Sequence, residues 1–440
     1  MSTVLLSSKK HYFLLYLIIL LIGFQQFPVL RIGGSFKIYE LLSLILLLKY
    51  RNHGFWNSKL IALWVLFVFS PIISFCYSFF FLDIPPDFYL RYPEAKESFK
   101  FGNSFFAVLQ IVYMLFCFAA LAGVYRERNL YKYFNHLRKY IVIIGTCIAV
   151  YSLFALFIYD PILDLPSFLQ HKSEYDFRSS GLSQEPGNYV VYQVWVVLFT
   201  YYAKNLFSKN TWLFMLIINI LSLFFTFSTS LIAFVALVLL SYFLCSTTKK
   251  QKIIIVFLSL ILFGVGYFIL LESGYYDLFE TLFLNKAVNF FSAADHTLDS
   301  GGFRNYTGRI GWEIFCSQPL FGVGVGNSVY YMHLYEFKMG IVSFGEMLSL
   351  GIFPQNLYAC VFAEQGLLGG IALLLFLLGV VKELWKYRND KPFGRMFFIG
   401  GLFNVAVALS NSLVYALYMW VFLVLALGYN KYVHEKNSDC

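Results

Sequence analysis

Long runs of apolar residues constrain this chain more than any motif. Segments such as LLYLIILLIGF, LIALWVLFVF and GGIALLLFLLGVV each approach the ~20 residues needed to cross a hydrocarbon core about 30 Å thick. Lipid offers no hydrogen-bond partners, so backbone in such runs must satisfy itself as helix. Of the 440 residues, 59% are hydrophobic and only 13% are charged. With a mean hydropathy of +0.68, the composition excludes a soluble globular domain and fits one solvated by lipid.

The runs predict about twelve spans, near residues 12 to 30, 35 to 48, 60 to 81, 103 to 124, 141 to 159, 187 to 203, 212 to 228, 231 to 246, 253 to 271, 356 to 381, 396 to 410 and 413 to 429. The junctions at Ser228-Thr229-Ser230 and Ser410-Asn411-Ser412 are very short. The expected fold is an all-α polytopic integral membrane protein with a single membrane domain over residues 1–440. The first run follows Lys9, Lys10 and His11 without a small-residue cleavage site, and reads as a retained signal anchor. The seven cysteines lie mostly in or beside apolar runs and form neither a disulfide framework nor a zinc spacing.

Charge orients these spans, because Lys and Arg are retained on the cytoplasmic side. Alternate connections carry them: Lys49 and Arg51; Arg126 to Lys139; Lys204 and Lys209; Lys249 to Lys252; Lys382 to Arg395. The formal +9 is thus an orientation signal, and nucleic acid is not an expected partner. Both termini are expected in the cytoplasm. Outward loops are expected at 82–102, 160–186 and, between the ninth and tenth spans, 272–355. ATP and nucleotide sugars are absent from that outer side, so energy for chemistry there must arrive within a substrate.

The second outward loop ends in Arg178-Ser-Ser-Gly181-Leu-Ser-Gln-Glu185-Pro186-Gly187. Glu185-Pro186 suits helix entry, since proline is pre-organised for the first turn and an acid complements the helix dipole. Arg178 can grip a phosphate bidentately or pair with Asp176 or Glu174. In the long loop, Arg304 and Arg309 precede Trp312 and the run Gly322, Gly324, Gly326. Asn327 stands where a dinucleotide fingerprint needs its third glycine, so the run reads as turns letting backbone approach a neighbour or ligand. Arg309 and Trp312 would share a helix face, as a sugar-phosphate platform or an interfacial anchor.

Asp295, His296 and Asp299 have only a vaguely metal-like spacing and read as solvated loop. His333 and Glu336 could share a helix face as acid/base groups or be unremarkable loop residues. Glu364 falls inside a span, where burying an acid costs about 2.5 to 3.5 kcal/mol at mid-membrane; near the helix end it could instead reach water.

Taken in order, Arg178 to Gly187, Arg309-x-x-Trp312 with Pro319-Leu-Phe-Gly-Val-Gly-Val-Gly326, and Pro354-Gln355-Asn356-Leu-Tyr358 running into Glu364-Gln-Gly366-Leu-Leu-Gly369 resemble the O-antigen polymerase and O-antigen ligase superfamily. The resemblance implies a GT-C-like glycosyltransferase architecture at the bacterial inner membrane and a substrate glycan carried on undecaprenyl diphosphate. It implies no cofactor and no metal. A chain-length regulator and a flippase of the same pathway are the partners it suggests, besides the lipid bilayer. Arginines would neutralise the departing diphosphate, which makes Arg178, Arg309, Glu185 and His333 the catalytic candidates. Arg304, Trp312, Gln355, Asn356, Glu336 and Glu364 are the substrate-binding ones.

Ligases of this superfamily usually carry histidine where Gln355 stands, as the base that activates the acceptor. An amide cannot accept that proton, so Glu185, His333 or Glu336 must, or positioning alone suffices. This departure, with the Glu-Pro-Gly loop, favours a Wzy-type repeat-unit polymerase over a ligase that transfers glycan to lipid A core. A polysaccharide flippase is the reading from another class. Transporters tend to show repeated halves and mid-membrane charges, which are not evident in this sequence.

Overall fold

The computed structural model describes residues 13–25, 28–31, 35–50, 58–83, 102–157, 178–183, 185–245, 300–338, 353–389, 393–410, 414 and 416–438, with isolated positions between 248 and 288. Helix α1 (residues 13–21) leads into a hairpin of β1 (Pro28–Arg31) and β2 (Ser35–Lys37), paired antiparallel with Leu30 opposite Phe36. The first expected span, to residue 30, is therefore too long. Pro28 brings no backbone donor to a helix, and the Gly33-Gly34 pair in the sequence favours a tight reversal. The hairpin is the one departure from an all-α fold among the described residues.

Then follow α2 (Ile38–Tyr50), α3 (Ser58–Trp64), a π-helical turn (Val65–Phe69) and α4 (Ser70–Phe81), the last three forming one continuous rod. Next come α5 (Gly102–Arg126), α6 (Arg128–Lys132), α7 (Phe134–Phe157), α8 (Pro186–Tyr202), α9 (Lys209–Phe224) and α10 (Thr229–Cys245). Among its described residues, the region expected as a long loop contains a one-turn helix (Tyr276–Phe279) and two longer ones, α11 (Ser300–Ser317) and α12 (Ser328–Lys338). The chain closes with α13 (Leu357–Lys386), α14 (Gly394–Val407) and α15 (Leu417–Ser438).

Among the described residues, Leu60–Phe81, Ala107–Arg126, Phe134–Leu156 and Leu357–Lys386 are long and apolar enough to cross a bilayer, and Lys209–Phe224, Thr229–Cys245 and Gly394–Ser410 are shorter apolar helices. Most of the span expected near 253 to 271 lies outside the described residues. The short junction at Ser228 is a real break, made by a turn in which Phe227 takes a positive φ of 44°.

Helix α8 sits at the centre, packed by α7, α9, α10, α14 and α15. From Tyr189 to Thr200 every side chain is buried, as expected for a helix enclosed by protein rather than facing lipid on one side. Trp195 stacks on Phe422 at 5.2 Å and donates its indole N–H to Asn404 at 3.0 Å. A polar seam joins α8 to its neighbours: Gln193 donates to Asn219 Oδ1 at 2.8 Å, and Asn219 donates to Thr146 at 2.9 Å. Such hydrogen bonds fix the register of helices that cannot rely on water exclusion to associate.

Two arginines finish this helix set. Arg138 on α7 is buried and donates to Tyr202 O at 2.9 Å and to Asn205 Oδ1 at 3.1 Å, with its guanidinium 4.5 Å from the Phe393 ring centroid. Arg178 donates to Thr226 O at 2.8 Å and Phe227 O at 3.3 Å. Each guanidinium therefore lies at a helix C-terminus, of α8 and α9 respectively, where unpaired carbonyls and the negative dipole end favour a cation. This explains why α7 begins at Phe134, before the apolar run expected from 141: its first turns carry a buried charge that hydropathy counts against a span. Arg138→Met should lower unfolding stability by about 2 to 3 kcal/mol, the value of charge-assisted bonds left unmade, read as a fall in melting temperature of the purified protein.

Candidate functional site

The site is organised around a break in α13. Gly366 has φ +63° and ψ −158° inside an otherwise helical stretch, a conformation essentially restricted to glycine. In a continuous helix Leu367 N–H would donate to Ala363 O. Here Leu367 N–H donates to Pro319 O at 2.8 Å, Val323 N–H donates to Ala363 O at 2.9 Å, and Gly324 N–H donates to Glu364 O at 3.1 Å. The Pro319–Gly324 loop thus supplies backbone partners in place of the lost helical bonds. Non-helical backbone at membrane depth is tolerated only when protein satisfies it in this way. The approach is so close that a side-chain carbon on Gly322 would collide with the backbone of Glu364 and Gln365, and one on Gly366 with that of Leu320.

Helix α4 supports the break from the other side with a stripe of hydroxyls one turn apart. Ser70 donates to Gln365 Oε1 at 2.5 Å, Ser74 donates to Glu364 O, and Ser78 accepts from Asn327 Nδ2 at 3.4 Å. Tyr77 donates to Gln318 at 2.9 Å. Glu364 itself is 2% exposed. Its carboxylate accepts from Ser328 Oγ at 2.7 Å and faces the backbone N–H groups of Gly326 and Ser328, so it caps the first turn of α12. Tyr331 on α12 donates to Asp83 O at 3.0 Å. Burial pushes its hydroxyl up to about 12, which keeps it a donor at any physiological pH.

Helix α11 packs on the start of α13. Thr307 Oγ1 accepts from Gln355 N–H at 3.1 Å, and Gly308 and Gly311 face Asn356 and Pro354, so the Pro354-Gln355-Asn356 turn lies against the helix that carries Arg304 and Arg309. Asn356 serves as N-cap: its Oδ1 accepts from Tyr358 N–H at 3.0 Å and Ala359 N–H at 3.2 Å. Arg309 donates to Asn305 at 3.1 Å. Trp312 packs at 5.2 Å on Phe362 and at 5.9 Å on Phe315.

Arg304 is the most exposed to chemical consequence. Its side chain is only 17% accessible, and it forms an ion pair with Glu185 at 3.7 Å, too long for a hydrogen bond. Among the described residues no other group engages this guanidinium, which has five donors to offer. It sits over the first turn of α8, where Gly187 leaves room for it: a side-chain carbon there would lie 3.3 Å from Arg304 Nη2. A mostly buried cation beside a helix N-terminus makes a pocket of positive potential, and the carboxylate of Glu185, 58% accessible, lies at its mouth.

The structure therefore brings Glu185, Arg304, Arg309, Gln355 and Asn356 to adjoining elements. Arg178 precedes Glu185 on a loop fixed by buried hydroxyls: Ser179 bonds Ser152 at 2.6 Å and Ser222 at 3.2 Å, and Gly181 N–H donates to Ser152 at 2.9 Å. His333 and Glu336 lie on α12, but their side chains lie outside the described residues, as do Glu174, Asp176, Asp295, His296 and Asp299. Glu364 does not reach water, contrary to one expectation for it. Sequence reasoning passed over the Ser70, Ser74, Ser78 stripe, although a four-residue polar period inside an apolar span was visible. It also passed over Gly187 as a space for arginine.

Residues 214–374 match the family model described as O-antigen ligase. The resemblance to the O-antigen ligase and polymerase superfamily is thereby borne out over a stretch running from α9 past the break in α13. No match to a curated protein accompanies it. Gly322→Ala and Gly366→Ala should each destabilise the protein by about 2 kcal/mol or more, through forced strain and a displaced loop. Protease cleavage within 319–327, absent in the parent, is the readout expected for both.

Proposed function

We propose that this membrane protein of the O-antigen ligase and polymerase superfamily is a polysaccharide repeat-unit polymerase. It would move a growing glycan from undecaprenyl diphosphate to the non-reducing end of a lipid-linked repeat unit at the outer face of the inner membrane. The observation that carries the reading is Arg304: a largely buried guanidinium with one long ion pair, at a helix N-terminus, has capacity for a polyanion and no described partner that fills it.

The acceptor hydroxyl attacks the anomeric carbon, the bond from that carbon to the diphosphate oxygen breaks, and undecaprenyl diphosphate departs. Arg304 and Arg309 neutralise the charge that develops on the leaving oxygen. A diphosphate bound to Arg304 competes for the guanidinium with Glu185 and frees that carboxylate to take the hydroxyl proton. Arg178, Asn356 and Glu364 act by position: they hold the loop before α8, the turn before α13 and the start of α12. Trp312 offers an apolar ring face to a sugar.

The choice of polymerase rests on Gln355, an amide at the place where ligases of the superfamily usually carry a basic histidine. The family match, described as O-antigen ligase, fits the second reading equally, transfer of finished glycan to lipid A core. Deleting the protein in its host separates them. One repeat unit on lipid A core is the polymerase result, and lipid-linked polymer with bare core is the ligase result.

In the complemented host, Arg304→Ala should lower polymer formation about 10²-fold or more at unchanged membrane abundance. Arg304→Lys should restore part of it, since lysine keeps the charge and loses the bidentate fork. Glu185→Gln should be as damaging as Arg304→Ala while the protein's melting temperature stays the same, because a long ion pair whose carboxylate is solvated contributes little stability. Normal chain lengths in Arg304→Ala would remove the basis of the proposal.

A further inference from the structure

An apolar groove of about 560 Å³ lies between α3, the second half of α13 and α15. It follows α13 from Leu368 to Glu383, roughly 22 Å of helix at 1.5 Å per residue. Ile61 and Val65 form one wall and Ile371, Leu375 and Phe376 the other. Val65 begins the π-helical turn, a local change of register of the kind often found at functional sites. Beyond it, the Ser70, Ser74, Ser78 stripe faces the break in α13. Gly379 lies on the groove, and a side-chain carbon there would meet no atom within 4 Å.

The charged residues of the lining, Lys382 and Glu383, are both at one end. Lys386 follows one turn later, while Arg388 stacks on the Trp385 ring at 3.9 Å and donates to Trp385 O at 2.7 Å, so that end carries two cations against one acid. The Leu368 end adjoins the break at Gly366 and brings no charge to the lining. From Glu364 to Lys382 the helix rises about 27 Å, close to a full hydrocarbon thickness. Lys382 therefore belongs to the membrane face opposite the Arg304 site.

We propose that this groove binds an anionic phospholipid of the Lys382-side leaflet, one acyl chain lying along Gly379 and the phosphate pairing with Lys382. The long, narrow and apolar shape fits a hydrocarbon chain, and the clustered cations fit an anionic headgroup. A prenyl chain hanging from a diphosphate at Arg304 would enter from the uncharged end and leave Lys382 beside a terminal methyl, without an anion to neutralise. The inference does not rest on glycan transfer.

The test uses the purified full-length protein in phosphatidylcholine nanodiscs with and without phosphatidylglycerol, followed by native mass spectrometry of the lipid that stays bound. The parent should retain phosphatidylglycerol, and its melting temperature should rise with that lipid. Gly379→Phe fills the groove and Lys382→Gln removes the headgroup partner. Each should cut retention about fivefold, the equivalent of one lysine contact at a membrane surface, and Gly379→Ala should melt like the parent. If Gly379→Phe does not fold, Lys382→Gln decides alone, because its exposed side chain tolerates an amide. Equal retention of phosphatidylcholine, selective retention of a polyprenyl lipid, or phosphatidylglycerol retention unchanged in the variants would each overturn the proposal.

Discussion

The interruption of α13 at Gly366 is the constraint on which the rest of the site depends. A buried peptide group left unpaired in lipid costs several kcal/mol, so a helix cannot break there unless another backbone takes over. The Pro319–Gly324 segment does so with three hydrogen bonds to Ala363, Glu364 and Leu367. Because α11 ends just before this segment and α12 starts just after it, both helices are fixed in place by the same contact. The serine stripe of α4 ties a third element to the break, and Glu364 fastens α12 to it.

Three arginines, none fully exposed, differ in the partners they meet. Arg138 and Arg178 find the carbonyls at helix C-termini, where the cation relieves unpaired acceptors and becomes part of the scaffold. Arg304 instead faces a helix N-terminus, which has donors to offer and no acceptors, and among the described residues only a distant carboxylate answers it. Such an arrangement is unfavourable for the empty protein and favourable once an anion arrives. It is the kind of preorganisation that the proposed transfer would draw on, since a site already polarised for an anion need not reorganise at the moment of reaction.

The long spans at 60 to 81 and 103 to 124 were legible because hydropathy over twenty residues is a local property, and the structure has Leu60–Phe81 and Gly102–Arg126 there. The glycine run at 322 to 326 was also legible in kind, as backbone brought close to a neighbour. What it approaches was not, since Ala363 and Glu364 are some forty residues away and read as ordinary helix in the stretch Ala363-Glu364-Gln365-Gly366. That Arg178 bonds the carbonyls of Thr226 and Phe227 was not legible, because backbone acceptors carry no signature in side-chain chemistry. The proximity of Glu185 to Arg304 depends on α8 and α11 meeting in space, which no local pattern encodes. Hydropathy likewise hid the hairpin at Pro28, whose residues are apolar enough to extend a span.

Amide hydrogen exchange across residues 318–327 tests the account most directly. The amides of Gly322, Val323, Gly324 and Asn327 are all hydrogen-bonded, and two of them bind the broken helix, so they should exchange as slowly as the amides of α8 at the centre of the fold. Exchange of Val323 and Gly324 at the rate of a solvated loop, while α8 stays protected, would contradict the latch and the arrangement of Arg304 and Arg309 that depends on it.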